Sequence, residues 1–120
     1  MFRVIFFVPD PRKAAKFYIR AFGVKRLKPP KAQDYPDSEW IQTQSGKVEI
    51  AFHKTYEPKG LKKSRADESF KLVFKVKNVA TKRKELLKLG VKMSEPFQAD
   101  RTTLCDGWDC FGFRFQIADR

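Results

Sequence analysis

Between Arg3 and Val8 the chain alternates, with Val4, Phe6 and Val8 on one side and Arg3, Ile5 and Phe7 on the other. A period of two predicts a strand with two unlike faces. From Pro11 the period changes. Ala14, Phe17, Tyr18 and Ala21 recur at steps of three and four, which puts them on one stripe of a helix. Asp10 suits the N-cap, and Pro11 suits the first helical position, where a missing N–H costs nothing. Gly23 fits the left-handed residue that closes such a helix. Residues 24–28 are basic and lead into a turn-rich segment from Pro29-Pro30 to Asp37-Ser38. Glu39 to Thr43 and Lys47 to His53 then predict a hairpin around Ser45-Gly46.

The same plan returns later in the chain. Leu72, Phe74 and Val76 form an inner strand row, and Asn78 is placed to cap a helix. Val79, Leu86, Leu87 and Leu89 supply its apolar side, and Gly90 ends it. Val8 aligns with Val76, Asp10 with Asn78, and Gly23-Val24-Lys25 with Gly90-Val91-Lys92. Farther on, Val48-Glu49-Ile50-Ala51 matches Phe115-Gln116-Ile117-Ala118. Two separated blocks repeating in register identify a duplicated half-domain. Candidate strands at Val91 to Met93, Thr102 to Asp106 and Gly112 to Ala118 give the second half the order βαβββ, like the first. The expected fold is α+β, a single domain with modules at 1–54 and 70–120 and a charged linker over 55–69.

Composition adds bounds. The 120 residues include 42% hydrophobic positions and twelve Phe, enough for a core without staples. No apolar run approaches the roughly 18 residues of a membrane span, and nothing near Met1 reads as a leader, so a cytoplasmic protein is expected. The net charge of +12 favours anionic partners and allows weak, non-specific contact with nucleic acid. Because the basic residues are spread along the whole chain, a plain solubilising surface is the competing reading. Cys105 and Cys110 are too few for a disulfide framework or a zinc site, and read as two ordinary thiols or one local bridge. No nucleophile elbow, P-loop or dinucleotide fingerprint occurs.

Val8-Pro9-Asp10, Ala15-Lys16-Phe17-Tyr18 and Phe22-Gly23 resemble the first strand and helix of vicinal oxygen chelate proteins, the glyoxalase and bleomycin-resistance group. Asp109-Cys110-Phe111-Gly112-Phe113-Arg114-Phe115-Gln116-Ile117 resembles their terminal hairpin. The resemblance spans essentially the whole chain. It implies two βαβββ modules, eight strands curving into one mixed sheet around a concave groove, and a homodimer. In metal-dependent members four side chains hold a divalent cation, and the resemblance puts those positions at Arg3, Glu49, Lys71 and Gln116.

The residues at these positions are poor ligands. A guanidinium has no lone pair to give, Lys71 would have to lose its proton beside other cations, and Gln116 is a neutral amide. No metal and no cofactor are expected. Two readings of the four residues stand. They form an internal ion-paired substitute, with Glu49 bound to Arg3 or Lys71, or they bind a ligand. In the second case Phe7, His53, Lys75 and Arg114 join them, and Ile5, Val73 and Ala51 supply apolar walls. The expected function is metal-free binding of a small molecule, anionic or neutral and aromatic. The drug-sequestering members of the family bind cationic glycopeptides with acidic surfaces, and +12 departs from that. A glyoxalase- or dioxygenase-type enzyme is the alternative, with Glu49 as its only candidate catalytic group. A basic nucleic-acid module is the third.

Overall fold

In the computed structural model the described residues are 2–28, 36–55 and 71–120. The first module runs β1 (Phe2–Val8), α1 (Pro11–Phe22), β2 (Lys25–Arg26), β3 (Trp40–Ser45) and β4 (Val48–Lys54). The second runs β5 (Leu72–Lys75), α2 (Val79–Lys88), β6 (Lys92–Met93), β7 (Phe97–Ala99), β8 (Thr102–Trp108) and β9 (Arg114–Ala118). The chain divides into two compact units, Met1–Gly60 and Leu61–Arg120. Apart from Thr55, the expected linker lies outside the described residues.

The double βαβββ plan is present, and the strands pair as two mixed sheets. The first has the order β1-β4-β3-β2, and the second β5-β9-β8-β6 with β7 also on β8. In each, the first strand of the module lies parallel to the last, and the other pairs are antiparallel. The duplication is therefore a duplication of topology. Nine strands are described rather than the expected eight, the addition being β7. It joins β8 through Asp100 and Arg101, whose φ values are 47° and 64°. A two-residue hairpin of this hand needs left-handed backbone, usually from Asn-Gly or Asp-Gly. Asp100-Arg101 carries no such signal, and all three β7 residues are exposed.

The local signals at the helix ends hold. Asp10 accepts from the N–H groups of Arg12 and Lys13 at 3.1 and 3.3 Å, and Gly23 closes α1 at φ 64°. Asn78 accepts from the N–H of Thr81 at 2.9 Å. Ala14, Ala15, Tyr18 and Ala21 turn inward from α1, and Tyr18 meets Phe52 and Phe6 at 5.5 and 6.2 Å between ring centroids. These partners belong to the inward row of the first sheet, Phe6, Val8, Ile50 and Phe52. Thr43 is buried in the same layer, its hydroxyl donating to the carbonyl of Ile50 at 2.8 Å. In the second module Leu86, Val79, Phe115, Ile117 and Cys105 form the buried layer. Leu87 and Leu89, expected on the apolar side of α2, are instead 43% and 42% exposed. A ten-residue helix over a narrow sheet covers one stripe, and both leucines lie beside it.

Gly107, on the inward face of β8, has no room for a side chain. A Cβ there would strike the Phe115 ring and come within 2.6 Å of Met93 Sδ. Phe115 is 1% exposed and cannot swing into solvent. Gly107→Ala is expected to cost about 1–3 kcal/mol through overpacking. Urea denaturation followed by tryptophan fluorescence measures it, and an unchanged midpoint would contradict this packing.

Candidate functional site

The face of the first sheet turned away from α1 is built by register. Parallel pairing of β1 with β4 sets Arg3 beside Glu49, Ile5 beside Ala51 and Phe7 beside His53. Antiparallel pairing with β3 adds Gln44, Gln42 and Trp40 in the same rows. Arg3 Nε donates to Glu49 Oε2 at 2.7 Å. Gln42 Nε2 donates to the same oxygen at 3.4 Å, and Trp40 Nε1 donates to Gln42 Oε1 at 3.1 Å. The Arg3 guanidinium also lies 5.9 Å from the Trp40 ring centroid. Glu49 is mostly covered, whereas the Arg3 side chain is 47% exposed.

Beyond this polar chain lies an aromatic group. His53 stands 5.3 Å from Phe7 and 5.8 Å from Trp40 between ring centroids. Its Nδ1 is 2.7 Å from the carbonyl of Lys54; a carbonyl can only accept, so Nδ1 carries the proton. Phe7 and Ile5 are 54% and 41% exposed, large apolar side chains on an otherwise polar face. Ala51, expected in an apolar wall, is fully covered.

The corresponding face of the second sheet carries Lys71, Val73 and Lys75 at β5, Arg114 and Gln116 on β9, and Asp106 and Trp108 on β8. Gln116 Nε2 donates to Asp106 Oδ1 at 3.0 Å, and Lys71 Nζ is 4.0 Å from that oxygen. Lys92 lies 5.2 Å from the Trp108 ring centroid. Gln116 is buried, Lys75 exposed and Arg114 half-buried.

Each module thus holds its own cation–carboxylate pair, with the two cations at equivalent places. Arg3 corresponds to Lys71 and Glu49 to Gln116. The carboxylate of the second pair, Asp106, sits on the neighbouring strand, where Gln44 stands in the first module. Sequence reasoning placed Asp106 at the end of a candidate strand and gave it no part in the site. Its signal was the alternation of β8, where Asp106 and Trp108 share one face. Within its own module Gln116 binds Asp106. The two cysteines form no disulfide, and Cys105 is buried with its thiol donating to the carbonyl of Ser94 at 3.1 Å.

The family's divalent cation does not suit these residues. Arg3 and Lys71 bring positive charge rather than lone pairs, Glu49 already serves Arg3, and Gln116 serves Asp106. Among the described residues no three His, Cys, Asp or Glu side chains gather as a metal site. No described helix is long and apolar enough to cross a membrane.

Comparison with known proteins agrees with this architecture. UcmS2 superimposes with a TM-score of 0.75 at 19% identity, covering 100% of this chain and 97% of that one. The fosfomycin resistance protein FosX of Listeria monocytogenes gives 0.75 at 14% identity, covering 98% and 90%. A bleomycin resistance determinant encoded on transposon Tn5 gives 0.69 at 16%, covering 100% and 97%. No curated protein matches the sequence. The glyoxalase-like domain family matches residues 3–117, nearly the whole chain. With its duplicated βαβββ modules, the chain belongs to the glyoxalase-like domain family of the vicinal oxygen chelate superfamily.

Proposed function

We propose that this protein binds a small molecule without a metal, and that the outward face of the first module takes an anionic ligand with an aromatic or apolar body. The observation that carries the reading is the setting of Arg3. Glu49 holds the guanidinium by Nε alone, which leaves the two Nη groups on an exposed side chain. A fixed guanidinium fork suits a carboxylate or phosphate, and it loses little freedom on binding. Phe7, Ile5 and the rings of His53 and Trp40 lie along the same face and suit the apolar part of such a ligand. The FosX and bleomycin-resistance relatives are named for small-molecule drugs, which supports binding as the common theme.

An enzyme using Glu49 as general base is the weaker reading. Its Oε2 already accepts from both Arg3 and Gln42, so the oxygen that would take a substrate proton is occupied.

Thermal-shift and calorimetric titrations of the purified full chain against aryl carboxylates, aryl phosphates and neutral aromatics test the proposal. A member of the acidic classes should raise the melting temperature, since a ligand at about 100 times its Kd stabilises by about 2.7 kcal/mol. The shift should survive a chelator, and nickel, zinc or manganese should not add to it. Stoichiometric metal uptake, or silence across both acidic classes, would overturn the reading.

A further inference from the structure

The outer side of α1 has a charge pattern that small-molecule binding does not use. The helix carries Arg12, Lys13, Lys16 and Arg20, contains no acidic residue, and exposes all four cations. Arg12, Lys16 and Arg20 follow one another at four-residue steps, so they form a single row on one face. At a rise of about 1.5 Å per residue the row is about 12 Å long.

A solvated helix surface normally mixes signs, and the repeat supplies an internal comparison. On α2, Lys82 pairs with Glu85 and Arg83 with Glu95. Among the described residues, neither Lys16 nor Arg20 is paired with a carboxylate. Of the described acids near the helix, Asp10 caps it, and Asp37 accepts from Arg26 at 2.5 Å and attracts only Arg12 of the row. Arg12 and Lys13 also stand in the first turn, where the helix dipole disfavours positive charge. The first-turn cations lower helix stability while Arg20, in the last turn, raises it, and the row stays one-signed.

We propose that this face of α1 is a contact surface for the phosphate backbone of a nucleic-acid duplex. Phosphates along one strand follow at about 3.4 Å of helix axis, so a 12 Å row spans about three to four of them. A lipid surface fits less well. Membrane-lying helices insert an apolar face, and here Ala14, Ala15, Tyr18 and Ala21 are committed to the protein core. The contact reads no base sequence, because a row of cations set against phosphates supplies affinity and orientation alone.

Fluorescence anisotropy of the full chain with a labelled duplex, titrated with salt, tests this. Three neutralised phosphates predict a log–log slope near −2.7, so affinity should fall about 40-fold between about 50 and about 200 mM salt. The triple variant Arg12→Gln, Lys16→Gln, Arg20→Gln should flatten that slope and weaken binding by about tenfold or more at the lower salt. A second variant, Lys77→Gln, Lys84→Gln, Lys88→Gln, removes the same charge from exposed positions on and beside α2. It should keep most of the affinity. Equal losses from the two variants would assign binding to net charge and overturn the proposal. So would binding to phosphatidylserine vesicles without binding to duplex. Circular dichroism melts of both variants separate lost contact from lost fold.

Discussion

Phe52→Ala is expected to destabilise the protein by about 3–5 kcal/mol, the range for truncating a buried aromatic. Phe52 lies on the central strand β4, is 0% exposed, and meets Tyr18 at 5.5 Å and Phe6 at 6.0 Å. Those two rings come from α1 and β1, so one side chain joins three elements of the first module. Its neighbours are themselves fixed: Tyr18 is 2% exposed and also touches Phe22 and Phe17. A core locked in this way collapses little around a cavity, which places the cost toward the upper part of the range. For a chain of this size the melting temperature should fall by roughly 10–20 °C. Phe52→Leu keeps much of the volume and should recover most of the loss. A fall of only a few degrees for the alanine variant, in differential scanning calorimetry, would show that α1 is not anchored through this ring.

Arg3→Ala is expected to separate binding from stability. The Arg3–Glu49 pair is open to water only on the Arg3 side, but Gln42 still donates to the covered Glu49 when Arg3 is truncated, so the loss should stay within about 1 kcal/mol. Unfolding should therefore barely change. Affinity for an aryl carboxylate should fall about 10- to 100-fold, because hydrogen bonds to a charged group are worth about 1.5–3 kcal/mol. Arg3→Lys should restore only part of it, since an ammonium lacks the planar fork. If the pair were an internal plug, the result would invert: stability would drop by about 3–5 kcal/mol, the cost of breaking a buried pair, and ligand affinity would stay or rise. Calorimetry on the same two variants measures both quantities.

The sequence came close to the candidate site without reaching it. Period-two alternation assigned Arg3, Ile5 and Phe7 to one face, and the register of β1 against β4 sets Glu49 and His53 beside Arg3 and Phe7. Alternation alone could not say which residue would stand beside which. Arg3 and Glu49 are 46 positions apart, and their contact depends on β1 entering the sheet parallel to β4. The Trp40–Gln42–Glu49 chain was missed for a related reason. Trp40 and Gln42 share a face by alternation, but their polar ends meet Glu49 only because β3 pairs antiparallel in this register. Asp106 has no acidic counterpart in the first module, where Gln44 holds its place. The second module moved its acid one strand sideways, from the position of Glu49 to that of Gln44, so aligning the two halves finds Gln116 and no partner for Lys71. Strand β7 escaped because its turn uses Asp100-Arg101 where such turns usually advertise themselves with glycine.

What the sequence determined by itself is local or periodic. The strand faces, the helix caps at Asp10 and Asn78, the closing Gly23 and the duplication all rest on neighbours a few residues apart or on repetition. The unsuitability of Arg3 and Lys71 as metal ligands is likewise a property of the side chains and needed no coordinates. Tertiary structure decided which cation met which carboxylate: Arg3 with Glu49 in one module, Lys71 with Asp106 in the other. The reason is physical. A side chain's face follows from backbone pleating, which is local, whereas its neighbour follows from strand order and register, which the whole sheet settles at once.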